Sequence, residues 1–203
     1  MAYFPFFMDI TGADCLIVGG GTVALRKVQK LLPYSPHITV ISPELSPEIC
    51  AIEGISILKR GFLPEDIDGR MFVIAATDDK SLNRSVAALC KDRRISVNSV
   101  DDRENCSFIF PSLVKRGELS IGISTGGASP TAAIYLKNQI NALLPEEFPE
   151  ILKFLDSLRG DVKARIPDEH RRAALFSRLF DECFEKKRPL TSSEYEALMG
   201  SLE

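Results

Sequence analysis

Apolar residues along this chain come in two rhythms. Cys15-Leu-Ile-Val18 and Met71-Phe-Val-Ile-Ala75 are unbroken apolar runs, the signature of strands buried on both faces. Residues 23–32 carry apolar side chains at helical spacing, and residues 37–41 then predict a second strand, closing a strand–helix–strand unit. A short strand at 55–58, a helix over 82–93 capped by Asp79 or Ser81, and a strand at 95–98 continue the alternation. The rhythm changes at 119–124, where polar and apolar residues alternate. That predicts a strand with one wet face, in a sheet outside the first and open to completion by a second subunit. A helix from Thr131 to about Leu144 follows, with Ser129 at its N-cap and Pro130 at its first position. Beyond Pro145-Glu-Glu-Phe-Pro149 three helical stretches are expected, at 151–158, 171–185 and 192–199.

The first unit turns on Gly19, Gly20 and Gly21. Gly19, Gly21 and Ala24 fill a G-x-G-x-x-G/A template: one small residue for the tight turn, one for close approach of a pyrophosphate, one for helix–strand packing. Thr22 and Val23 open the helix, whose first N–H groups point at such an anion. Pro43 and Glu44 follow the second strand, where folds of this kind hold the adenosine ribose, and Glu44 can accept from its hydroxyls. No Lys or Arg stands between Ile41 and Lys59 to receive a 2′-phosphate, which favours NAD over NADP. Ala76 and Thr77, after the second central run, are small enough to let a cofactor pass. Asn98 ends another strand at the same edge, and Asp101 behind it is either a general base or a turn residue. The Gly126-Gly127 turn before the later helix is either an anion site or a plain junction. The reading is therefore an α/β chain: a Rossmann-type parallel-sheet domain over 1–112, a small α/β segment over 113–145, and a helical region over 146–203.

Composition narrows the partners. A net charge of -3 with acids and bases interspersed gives no reason to expect nucleic acid, and no stretch has the length of a membrane span. Five scattered cysteines without a C-x-x-C pair or a nearby histidine read as reduced cytoplasmic thiols, and no metal site is expected. The aromatic opening, Tyr3-Phe-Pro-Phe-Phe-Met8, is expected to pack against an edge of the domain. Arg159, Lys163, Arg165, Arg171 and Arg172 form a loose basic series of the sort usually solvated on helix faces.

Taken together, Val18-Gly-Gly-Gly-Thr-Val-Ala-Leu-Arg-Lys27, Ala75-Ala-Thr-Asp-Asp79, Asn98-Ser-Val-Asp101, Ser107-Phe-Ile-Phe-Pro-Ser112 and Ser124-Thr-Gly-Gly-Ala-Ser-Pro130 resemble the precorrin-2 dehydrogenase family of sirohaem synthesis, which includes the N-terminal module of sirohaem synthase. The resemblance runs in order to about Leu144. It implies NAD-dependent oxidation of precorrin-2 to sirohydrochlorin and, in some members, insertion of Fe²⁺ or Co²⁺ into that product. It puts the family's essential aspartate on Asp101. The eight carboxylates of the substrate would make Thr125, Gly126, Gly127 and Ser129, with the basic series, carboxylate receivers. The resemblance also implies a homodimer built through residues 113–144. With the chain ending at Glu203, the methyltransferase module of sirohaem synthase is expected to be absent. Thr125 stands where the fused enzymes carry a phosphorylatable serine. A contrasting reading from another class is a non-catalytic NAD-binding sensor that acts through a partner.

Overall fold

The computed structural model describes residues 3–100 and 102–200. They form two compact units that divide between Phe110 and Pro111.

In the first unit β1 (Asp14–Val18), α1 (Thr22–Leu31), β2 (His37–Ile41), α2 (Pro47–Cys50), β3 (Ser56–Leu58), β4 (Phe72–Ala75), α3 (Lys80–Asp92) and β5 (Ser96–Ser99) follow in order. The five strands make one parallel sheet in the order β3-β2-β1-β4-β5. Alternate side chains of the apolar runs feed two cores. Cys15, Ile17, Val40 and Ile74 pack under Ala24 and Val28 of α1 on one face. Leu16, Val18, Val73 and Ala75 pack under Val86, Ala87 and Cys90 of α3 on the other. Burial on both faces is why β1 and β4 contain no polar alternation.

Of the two caps expected for α3, Asp79 takes the role. Its Oδ1 accepts from the Ser81 and Leu82 amides at 2.8 and 3.1 Å, so the helix starts at Lys80, two residues earlier than periodicity suggested. The single turn α2 was not anticipated; Ser46 caps it through its hydroxyl. The N-terminal aromatics correct another expectation: Phe4, Phe6 and Phe7 are 83, 69 and 79% exposed rather than packed on an edge. Ile10, just beyond them, is partly buried against the core.

The second unit begins with β6 (Ser112–Arg116) and β7 (Leu119–Ile123), an antiparallel pair, then α4 (Pro130–Leu143). The alternating strand lies outside the parallel sheet as expected, but its partner is β6 of the same chain, which the sequence reading missed. Ser129 caps α4, its Oγ accepting from the Ala132 amide at 3.1 Å. The helices α5 (Phe148–Ser157), α6 (Arg159–Arg165), α7 (Glu169–Lys186) and α8 (Ser192–Gly200) enclose their own core of Ile151, Val162, Leu175, Leu179, Cys183 and Met199. Tyr195 joins it and donates its hydroxyl to Asp161 at 2.6 Å. No helix among the described residues is long and apolar enough to cross a membrane.

Candidate functional site

The glycine turn is locked into the sheet from below and open above. Gly19 donates to the Ile41 carbonyl at 2.8 Å, and Ser46 donates to the Gly20 carbonyl at 2.8 Å, so the end of β1 is tied to β2 and the loop after it. Gly19 has φ +128, and a Cβ there would lie 2.2 Å from the Ala76 carbonyl oxygen. A Cβ on Gly20 would lie 1.9 Å from the Glu44 carbonyl oxygen. These two glycines are thus required by backbone packing among the ends of β1, β2 and β4. Gly21 differs: it is exposed, and a Cβ there would meet nothing within 4 Å.

Behind Gly21, α1 starts without a side-chain cap and with no acid in its first turn. Its leading N–H groups, with the positive end of the helix dipole, face outward beside exposed Thr22 and Val23. That is the donor set a pyrophosphate needs, so the residues present fit a dinucleotide. Pro43 and Glu44 are exposed on the adjoining loop, at the side where the ribose would lie.

On the other side Ala76 is buried and its amide donates to the Val18 carbonyl at 2.8 Å. Thr77 is held by Asn83, which is 3% exposed. The Thr77 amide donates to Asn83 Oδ1 at 3.1 Å, and Asn83 Nδ2 returns a bond to the Thr77 carbonyl at 2.8 Å. The Thr77 hydroxyl also reaches Asn83 Oδ1, at 2.8 Å. Asn83→Ala strands this buried loop backbone and is expected to cost about 2–3 kcal/mol in denaturant unfolding, with weaker nucleotide binding.

Asn98 is buried, and its side chain is committed inside the unit. Its Oδ1 accepts from Lys27 Nζ at 3.0 Å, while its Nδ2 donates to the Phe108 carbonyl at 3.1 Å and approaches Cys106 Sγ at 3.6 Å. Asp101 lies outside the described residues. Its neighbours are firmly held. Val100 donates to the Ala75 carbonyl at 2.9 Å, and Asp102 accepts from Asn105 Nδ2 at 2.8 Å, with Arg84 at 3.7 Å.

Lys27 was missed by the sequence reading. The signal was present: with Ala24, Val28 and Leu31 it shares the inward stripe of α1. Burial, with Lys30 adding repulsion, pushes its ammonium from 10.5 down to about 8. Between those pH values the unfolded chain binds more protons at this group, so its contribution to stability rises with pH. The gain is at most about 3 kcal/mol before solvent screening reduces it. Buried thiols act the opposite way, with Cys15 pushed up to about 12 and Cys90 to about 11. The expected result is therefore a difference: unfolding free energies from pH 8 to 10.5 rise in wild type relative to Lys27→Met.

In the second unit the 125–129 turn bonds mostly within itself. Thr125 Oγ1 donates to the Ser129 carbonyl at 3.0 Å and accepts from the Ser129 amide at 3.1 Å. The Gly126 amide donates to Ser124 Oγ at 3.1 Å, and Gly126 and Gly127 adopt left-handed φ of 61 and 87°. Three members of the basic series have partners within the chain: Arg159 pairs with Asp156 at 3.1 Å, Arg165 with Glu196 at 2.9 Å, and Arg172 donates to the Ile166 carbonyl at 3.0 Å. Arg165 and Arg172 thereby tie α6 to α8 and α7 to the end of α6. All five cysteines are free, and no cluster of three or more His, Cys, Asp or Glu suited to a metal occurs among the described residues.

Comparison with known proteins agrees with this geometry. A family model described as "Putative NAD(P)-binding" matches residues 6–112, and one described as "Sirohaem biosynthesis protein central" matches residues 116–143. The siroheme synthase of Thioalkalivibrio sulfidiphilus is 44% identical over 184 residues, covering 89% of this chain and 38% of that protein. The siroheme synthase of Nitrosomonas eutropha is 35% identical over 188 residues, covering 91% of this chain and 40% of that protein. The chain thus spans well under half the length of these relatives. A solved structure titled SirC, precorrin-2 dehydrogenase, superposes with a TM-score of 0.72 at 25% identity, covering 98% of each chain. With more than half of its length inside the first match, the chain belongs to that NAD(P)-binding family, in the form the family takes in sirohaem-biosynthesis proteins.

Proposed function

We propose that the protein oxidises precorrin-2 to sirohydrochlorin with NAD as the electron acceptor. The observation that carries this reading is the reach of the likeness to the structure titled precorrin-2 dehydrogenase, which spans 98% of both chains and so takes in both units rather than the nucleotide-binding one alone. When bound, NAD supplies the hydride acceptor. The α1 N-terminus behind Gly21 holds the pyrophosphate, and Glu44 accepts from the ribose hydroxyls. The absence of Lys and Arg from 42–58 favours NAD over NADP. Ala76 and Thr77 floor the passage toward β5. Asp101 takes the proton that leaves the macrocycle as the hydride departs, and the 125–129 turn is assigned to a substrate carboxylate.

The test is an anaerobic mixture of protein, NAD and precorrin-2, followed by NADH absorbance and by the visible spectrum of the macrocycle. Stoichiometric NADH and sirohydrochlorin are expected. Nucleotide binding without turnover would favour the sensor reading instead. Because relatives carry the name siroheme synthase, Fe²⁺ or Co²⁺ is proposed as a second substrate; sirohydrochlorin must then take up metal faster with protein than with metal alone. The two-stranded β6-β7 sheet and the exposed Ile134, Tyr135, Leu136 and Leu143 on α4 support a homodimer through 113–144, which light scattering at micromolar concentration checks. Five free thiols support a cytoplasmic setting.

A further inference from the structure

The stretch from 42 to 58 holds no Lys or Arg, yet the sheet carries the next two residues, Lys59 and Arg60, back to the same edge. β3 lies against β2 in a parallel register that sets Leu58 opposite Ile41, and the Leu58 carbonyl accepts from the Ser42 amide at 3.2 Å and from the Arg60 amide at 2.9 Å. Lys59 and Arg60 therefore leave β3 beside the loop that carries Pro43 and Glu44. On the path proposed for the cofactor that is where the adenosine ribose lies, and a guanidinium there is the usual receiver of a 2′-phosphate.

The Arg60 side chain is engaged elsewhere. Its guanidinium makes a two-point pair with Asp66, Nη1 to Oδ2 at 2.8 Å and Nη2 to Oδ1 at 2.6 Å, and Nη1 also donates to the Gly61 carbonyl at 2.9 Å. Two parallel bonds of this kind fix direction as well as attraction. Asp66 is itself held. Its side chain is 8% exposed, Oδ2 accepts from the Leu63 amide at 2.7 Å, and its carbonyl accepts from Arg70 Nε at 3.2 Å. Arg70 in turn donates to Thr39 Oγ1 on β2 at 3.0 Å. Asp66 belongs to the 3₁₀ turn Pro64–Ile67, whose Ile67 is buried in the core under α3, on the face of the sheet away from α1. The bonds from Arg60 hold the Asp66 carboxyl below the usual carboxylate range, so the pair stays ionised at neutral pH.

We propose that Asp66 is a positioning residue for cofactor choice: by holding the Arg60 guanidinium on the α3 side of the sheet, it withholds a phosphate-gripping fork from the adenosine ribose and selects NAD against NADP. This rests on the proposed binding of NAD across the Gly21 turn. With the fork withheld, Glu44 meets ribose hydroxyls as an acceptor and repels a 2′-phosphate. Lys59 is exposed and enters none of the ion pairs among the described residues, but a hydrated ammonium matches a phosphate less well than a guanidinium fork.

The experiment titrates NADH and NADPH, by fluorescence, into wild type, Asp66→Asn, Arg60→Ala and the double variant Asp66→Asn with Arg60→Ala. Asparagine keeps an oxygen for the Leu63 amide and loses the charge that holds Arg60. Wild type and Arg60→Ala are expected to bind NADH at least about 10-fold more tightly than NADPH. Asp66→Asn is expected to tighten NADPH about 10-fold while NADH stays within about threefold, and the double variant should lose that gain. A merely structural role for Asp66 would weaken both nucleotides together. Should Asp66→Asn fail to fold, Arg60→Lys decides, since an ammonium cannot make the two-point pair; NADPH then tightens at least about threefold. No gain in NADPH affinity, a gain that survives the loss of Arg60, or a wild type that already prefers NADPH overturns the proposal. NADH binding with unchanged selectivity in the variants sinks this inference alone, whereas a wild type that binds neither nucleotide removes the proposed function and this inference with it.

Discussion

Gly21→Ala is expected to fold with near wild-type stability and to bind NAD about 10- to 100-fold more weakly, while Gly20→Ala loses at least about 3 kcal/mol of stability. The two differ by one position and by what stands over them. At 20 the new methyl would overlap the Glu44 carbonyl at 1.9 Å and approach Ser42 Oγ at 2.8 Å, and the first of these obstacles is backbone of the loop that the Ser46 amide ties to the Gly20 carbonyl. At 21 the backbone is extended, with φ -92 and ψ -168, and nothing lies within 4 Å, so an alanine costs the apoprotein almost nothing. What it occupies is the space a pyrophosphate would need against the α1 N–H groups. Denaturant unfolding and a fluorescence titration with NADH separate the effects. A Gly21→Ala protein with unaltered nucleotide affinity would mean that the cofactor does not cross that turn.

Asp101→Ala is expected to lower turnover by about 10²- to 10⁴-fold while NAD affinity stays within about threefold. The size is that of removing a positioned base, since the substrate must release a proton along with its hydride for conjugation to extend. Asp101→Asn keeps the side-chain shape and removes the basic oxygen, so a loss as deep as that of alanine assigns the effect to proton transfer. Rates like wild type in both variants would take Asp101 out of the chemistry and favour the sensor reading. Stopped-flow measurement of NADH formation in a single turnover distinguishes a slowed chemical step from slow product release.

Much of the scaffold was legible because its signals are local. Cys15–Val18 of β1 and all of β4 are unbroken apolar runs, β2 carries Ile-Thr-Val-Ile, the glycines end the first run where a helix must begin, and Ser129-Pro130 marks the start of α4. What escaped was short or highly charged. β6 is Ser-Leu-Val-Lys-Arg, and α6 is Arg-Gly-Asp-Val-Lys-Ala-Arg with Val162 as its buried residue; neither shows enough periodicity to stand out before its packing is known. That the glycines, Glu44 and the Ala76-Thr77 pair are neighbours was legible, because strand ends in a parallel sheet converge on one edge. Lys27 and Asn98 were not read as partners, being 71 residues apart in sequence. Only the strand order, which sets β5 next to β4 beside β1, brings the inner stripe of α1 within reach of them both.

Among the described residues the sheet has five strands, and where many dinucleotide folds add a sixth, the irregular stretch from Cys106 to Phe110 borders β5 instead. Irregular chain tolerates substitution and changes of length better than a strand whose ladder must be kept. On the function proposed above, the cofactor end of the crevice is therefore built from backbone that leaves no room for substitution, and the end beside the reacting carbon from irregular chain that tolerates it. If that function holds, a few changes in this stretch would retune the enzyme toward a differently decorated macrocycle while the nucleotide end stays as it is.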